Sequence, residues 1–178
     1  MTEAARLNGG GPAAARTIGV AAEIVATVAR ASRDSWPDAP GIAAQAVKIA
    51  ERCPDLAAAD EKVWHAALVA LGVAVDGGGE TRDGELRLRL EDSVELPVVI
   101  AETGADVAEL AATAARLGEG TFRSDAVSAA LLAQAGVRVA RHLVAVNLGT
   151  REDDDRSRRA ARAEWRAEQA VKQALEAD

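Results

Sequence analysis

Aromatic side chains are nearly missing from this chain, which has no tyrosine, one phenylalanine and three tryptophans among 178 residues. A core cannot then be assembled around large rings, and the 49% hydrophobic fraction comes mainly from alanine, valine and leucine, a composition that reads as helix bundle. The single cysteine, Cys53, excludes an intramolecular disulfide and fits a reducing compartment. Only two histidines are present, His65 and His142, and they do not form a His-x-x-x-His pair, so a metal centre is not expected. An excess of positive charge is also lacking. With 28 acidic against 21 basic residues the net charge is -7, which argues against nucleic acid or anionic membranes as partners. The N-terminus has no basic region followed by an apolar block, and no stretch reaches ~18 uninterrupted apolar residues. The expectation is a cytoplasmic protein, with residues 1–178 as one domain.

The longest helical pattern without an expected kink or break runs from Phe122 to Gly149. Ser124 reads as its N-cap, Asp125 sits in the first turn where the helix dipole favours a negative charge, and Gly149 supplies a stop. Val127, Leu131, Ala135, Val139, Leu143 and Val146 recur at spacings of three and four and are expected to form its core stripe, with Ala129, Ala130, Ala133, Gly136 and Ala140 thinning the flanking faces.

Ahead of it, Gly9-Gly10-Gly11-Pro12 opens a helix that continues to about Ala31, with Pro12 suited to the first helical position. A triple glycine without a lysine is no phosphate loop, and on its residues alone it reads first as a flexible tail ending in a helix start and only second as a loop that approaches a ligand closely. Trp36-Pro37-Asp38-Ala39-Pro40-Gly41 marks a connection before a second helix from Ile42 to Leu71, with a kink or break expected at Cys53-Pro54-Asp55. Asp60 lies on that helix, where a solvated acid is the ordinary expectation, and Trp64 one turn later is expected in the core. Asp76-Gly77-Gly78-Gly79-Glu80 divides the chain. Residues from Glu85 to Leu117 read as one helix kinked at Pro97. The last helix, Arg156 to Lys172, follows the acids Glu152 to Asp155 and carries a thin apolar stripe of Trp165, Val171 and Leu175, as a solvated cover would. The fold expected is all-α, an antiparallel bundle of about five long helices.

Three blocks resemble, in order and spacing, the methenyltetrahydrofolate cyclohydrolases and the cyclodeaminase domain of formiminotransferase-cyclodeaminase. Gly9-Gly10-Gly11-Pro12-Ala13-Ala14-Ala15 resembles the family's triple-glycine motif at the start of its first core helix. Asp60 with Trp64 resembles its acid followed by an aromatic. Ser124-Asp125-Ala126, then Asn147-Leu148 with Asp153 to Asp155 beyond, resembles its most recognisable region. The chain departs from the family in having Asn8 before the glycines and Pro12 after them, Glu119 where an asparagine follows Gly118, and His142 where another asparagine stands.

The resemblance implies a homodimer that binds a reduced folate beside the glycines, with a tetrahydrofolate derivative as substrate, no bound cofactor and no metal. Members hydrolyse a methenyl bridge or cyclise a formimino group with loss of ammonia. Both reactions pass a positively charged one-carbon unit that a fixed carboxylate stabilises. Asp125 is the expected catalytic residue, chiefly electrostatic in its action. Gly9, Gly10, Gly11, Asp60, Ser124, His142 and Asn147 are the expected substrate-binding residues. The bland reading keeps Asp125 as a dipole partner, Asn147 as a polar helix terminus and His142 as a helix surface residue. The alternative to an enzyme is a helical dimerisation or ligand-binding module that kept the scaffold and lost the chemistry.

Overall fold

The computed structural model describes residues 9–75, 94–149 and 153–177, with only the backbone for 67–75. Every regular element among the described residues is helical: α1 (Gly10–Ala31), α2 (Ala39–Val75), α3 (Glu95–Leu117), α4 (Arg123–Leu148) and α5 (Asp155–Glu176), with a short 3-10 turn at Gly120–Phe122 before α4. The antiparallel all-α bundle expected from the sequence is what forms.

The helix directions follow from their contacts. Gly9 faces Trp64, Gly11 faces Asp60 and Gly19 faces Cys53, so α2 runs antiparallel to α1. Ile18 touches Gly104 and Ser32 touches Gly118, so α3 runs parallel to α1, while Ile18 against Gly136 and Gly10 against Leu143 set α4 antiparallel. Arg159 bonds Glu95 at 2.8 Å and Glu102 at 2.9 Å, and Arg166 bonds Asp106 and Glu109 at 2.7 Å each, which aligns α5 with α3. One end of the bundle therefore gathers the start of α1 and the end of α4. The other gathers the end of α1 and the start of α4.

Small residues make this approach possible. A Cβ on Gly104 would stand 2.6 Å from Val137 Cγ2 and 2.8 Å from Ile18 Cδ1, and one on Gly136 would stand 2.7 Å from Ile18 Cγ1. Three helices thus close around Ile18, at distances only glycine permits. At the far end, Ser32 Oγ donates to the Val28 carbonyl and accepts from the Glu119 N–H, each at 2.9 Å, tying α1 to the turn after α3.

Several expectations are corrected. On α4 the small residues form the core face, with Ala126, Ala129, Ala130, Ala133, Gly136, Val137, Ala140 and Val144 buried, whereas Leu131, Ala135, Val139 and Val146 are exposed. Periodicity finds an apolar stripe but cannot rank two adjacent ones. Close packing on α1 selects the smaller. Ser124 is not the cap: α4 begins at Arg123 after the 3-10 turn, no side chain caps Phe122, and Asp125 keeps its first-turn place. Gly149 ends the helix with φ 61°, as its composition suggested.

Pro54 lies inside α2, which continues through it. Pro97 falls in the first turn of α3, where its missing N–H has no intrahelical acceptor to lose, so it opens that helix rather than kinking it. The expected helix from Glu85 to Leu90 and the glycine linker lie outside the described residues. On α5 the stripe facing the bundle is Ala160, Ala163, Ala167, Ala170, Val171 and Ala174, while Trp165 and Leu175 stay exposed because the gap to α3 and α4 admits only small side chains.

By length and composition alone, Gly10–Ala31 and Gly120–Leu148 are apolar enough to cross a membrane. The first packs inside the bundle, with twelve residues from Gly11 to Ala29 buried.

Candidate functional site

The start of α1 is a helix terminus without a side-chain cap. Gly9 takes the N-cap position in an extended conformation (φ -60°, ψ 167°), no side chain bonds the first turn from there, and no acidic residue lies in that turn. The first N–H groups of a helix need partners from outside it, and they favour negative charge.

The carboxylate of Asp60 comes to this terminus from α2. A Cβ built on Gly11 would stand 2.5 Å from Asp60 Cγ, so the carboxylate fills the space that any other residue's side chain would take. Asp60 is 9% exposed, and no hydrogen bond or ion pair reaches it among the described residues. Burial pushes its carboxyl above the ordinary aspartate range, with no opposing charge to hold it down. The solvated acid expected from the sequence is thus a buried, unpaired one, because the glycines let α1 close over it.

Trp64, expected in the core, is 40% exposed and lies along Gly9, where a Cβ would meet Trp64 Cδ1 at 3.5 Å. The four-residue spacing from Asp60 places both on one face of α2. On the other side, a Cβ built on Gly10 would meet Val139 and Leu143 of α4 at 3.5 and 3.6 Å. His142, exposed, and Asn147, half-buried, lie on the same last turns of α4. Gly9, Gly10, Gly11, Asp60, His142 and Asn147 therefore share one end of the bundle.

Ser124 and Asp125 do not join them. Both are exposed at the opposite end of α4, and the 22 residues from Asp125 to Asn147 span ~33 Å of unbroken helix. Within one subunit the expected catalytic aspartate is remote from the expected binding residues.

A cleft of about 480 Å³ opens between the end of α4 and the start of α5, lined by Arg141, Leu148, Gly149 and Arg158 among others. Arg141 pairs with Glu164 at 2.8 Å, and Arg158 donates to the Asp153 carbonyl. Among the described residues no three His, Cys, Asp or Glu side chains group as a metal centre would require.

A helical bundle whose glycine-opened first helix closes on a buried aspartate is the class of protein seen here. Residues 2–167 match the family model described as formiminotransferase-cyclodeaminase. The chain belongs to that family. No curated protein sequence matches it. The structure is similar to that of a formiminotetrahydrofolate cyclodeaminase from Thermotoga maritima, with a TM-score of 0.81 and 21% identity over 94% of this chain and 85% of that one. At this identity the likeness concerns the fold.

Proposed function

We propose that this chain is a single-domain, cytoplasmic enzyme of folate one-carbon metabolism. It acts as a cyclohydrolase on 5,10-methenyltetrahydrofolate or as a cyclodeaminase on 5-formiminotetrahydrofolate, without metal or bound cofactor. The observation that carries the reading is the unpaired Asp60 carboxylate beneath Gly11, in a chain of the formiminotransferase-cyclodeaminase family. A buried anion without a partner is costly to keep, and a cationic formamidinium-like carbon is the kind of ligand that offsets the cost. Gly9 to Gly11 let the ligand approach the backbone, Trp64 offers a flat face to a pterin, and Asn147 offers both a donor and an acceptor to an amide-like ring edge.

The reading includes a homodimer. Leu131, Leu132, Val139 and Val146 make an exposed apolar face on α4, and a second copy packed there supports a role for Asp125 that one subunit alone does not allow. Asp125 then stabilises the positive carbon from across the interface, with Ser124 and His142 as polar neighbours of the folate.

The test is the loss of 5,10-methenyltetrahydrofolate absorbance, and the release of ammonia from 5-formiminotetrahydrofolate, with purified protein at neutral pH. Acceleration of either above the buffer rate is expected; none with either substrate counts against catalysis. The second reading, a ligand-binding or dimerisation module, is favoured by the separation of Asp125 from the glycines. Calorimetry with a reduced folate beside the activity assay separates the cases: a module that only dimerises binds no folate at millimolar concentration, and a ligand-binding module binds it without turnover.

A further inference from the structure

Away from the glycines, α5 carries an outward ridge that the bundle does not use. Asp155, Arg158, Arg162 and Trp165 follow one another at spacings of three and four, which puts them on one face, opposite the alanine stripe packed on α3 and α4. Trp165 is 62% exposed, more than any other large apolar side chain among the described residues. A hollow of about 460 Å³ lies between these four side chains, over Ala161. It adjoins the 480 Å³ cleft at the end of α4, with Arg158 and Ala161 as the shared wall.

The charge of this strip runs against that of the chain. Among the described residues no hydrogen bond or ion pair reaches Arg162. Arg158 stands 3.6 Å from Asp155 and donates to the Asp153 carbonyl at 2.8 Å. Across the cleft, Glu164 serves both Arg138 at 3.9 Å and Arg141 at 2.8 Å, yet the buried Nε–H of Arg141 is not aimed at that carboxylate and has no acceptor. Four guanidinium groups thus meet two carboxylates, in a chain whose net charge is -7. Glu168 lies one turn beyond Trp165, on the side away from the arginines. A local reversal of sign with an unspent cation draws anions to the ridge.

We propose that this ridge binds a nucleotide, with the base stacked on Trp165 and the phosphate held between Arg158 and Arg162. The strip from Arg158 to Trp165 is ~10 Å long at 1.5 Å per residue, which leaves room for a sugar between base and phosphate. Each guanidinium offers a fork of two parallel N–H donors. One fork saturates a carboxylate, whereas a phosphate has oxygens enough for two, so a pair of arginines one turn apart selects the phosphate. The indole supplies the other half, because stacking on a ring is open to every base. Little discrimination among bases is expected, since stacking reads no base edge. The proposal does not rest on the folate reading: the ridge holds none of the residues given a part there.

The experiment titrates the full chain with ADP, by calorimetry and by quenching of tryptophan fluorescence, beside adenosine, inorganic phosphate and benzoylglutamate. ADP is expected to bind at sub-millimolar concentration, at least ~10-fold tighter than adenosine or phosphate alone, and more weakly as salt is raised. Trp165→Ala and Arg162→Ala are each expected to weaken it by ~5-fold or more, with Trp165→Phe restoring most of the affinity and Arg33→Ala, at the other end of the bundle, changing nothing. Turnover of either folate is expected to be the same in wild type and Trp165→Ala. No binding of ADP at ~5 mM overturns the proposal, as does ADP binding that Trp165→Ala leaves intact. Benzoylglutamate bound more tightly than ADP overturns it too, since the ridge would then select carboxylates. Should Trp165→Ala not fold, Arg162→Glu decides: unchanged affinity for ADP overturns the site.

Discussion

The carboxylate of Asp60 occupies the space that a side chain at Gly11 would need, with only 2.5 Å between Asp60 Cγ and a Cβ built there. Two features that look independent in the sequence, a glycine run and an acid 49 positions later, are one steric arrangement.

Gly11→Ala is therefore expected to force α1 and α2 apart at this end and to cost 1–3 kcal/mol, the range for overpacking a close contact. Gly10→Ala, whose Cβ would meet Val139 and Leu143 no closer than 3.5 Å, is expected to stay within ~0.5 kcal/mol of wild type. Urea unfolding of the two variants checks the contrast, and equal losses would show that the gap at Gly11 is relieved by movement of Asp60.

Asp60 itself is expected to lower stability at neutral pH. Burial raises its carboxyl, so the folded chain binds that proton more tightly than the unfolded chain does. Its contribution is most favourable in acid and is lost as pH climbs from the ordinary carboxylate range through the raised one. Asp60→Asn is then expected to raise Tm by ~2–4 °C at pH 7–8, the shift given by about 1 kcal/mol in a chain of this size, and the gain should disappear below about pH 4. Calorimetric scans across that range measure it. A variant that is more stable yet slower would mark a residue kept for chemistry rather than for the fold.

Gly104→Ala places a methyl against Val137 and Ile18, and a loss of 1–3 kcal/mol is expected. Ile18→Val removes one of the obstructing atoms, Cδ1, so the double variant should lose less than the sum of the two single ones. Additive losses in chemical unfolding would mean that Val137 alone sets the limit.

Mixed dimers test the place of Asp125. If a second copy brings it to the glycine end, subunits carrying Asp125→Asn and subunits carrying Gly11→Ala, each impaired alone, are expected to recover up to about a quarter of wild-type activity after mixing, since complementary chains form one intact site per heterodimer. No recovery, with exchange of subunits verified by mass, removes Asp125 from the site.

Arg159 bridges Glu95 and Glu102 while Arg166 bridges Asp106 and Glu109, and these partly exposed pairs fasten α5 to α3. Alanine at either arginine is expected to cost about 1 kcal/mol, less in 1 M salt because such pairs are screened. Thermal melts at two salt concentrations give the comparison.

The sequence by itself determined that the chain is helical, where most helices begin and end, and which family motifs it carries. These are local properties: alanine-rich periodicity, the stop at Gly149, the acids before α5 and the order of the Gly-Gly-Gly, Asp-x-x-x-Trp and Ser-Asp blocks act through near neighbours along the chain. Which face of α4 is buried, that Trp64 is exposed, and that Asp60 lies unpaired beneath Gly11 while Asp125 stands at the far end were decided only in three dimensions. The reason is interhelical distance. Two apolar stripes on α4 satisfy the same period, and the one that packs is the one small enough to let α1 close around Ile18; once it does, Gly11 and Asp60 meet.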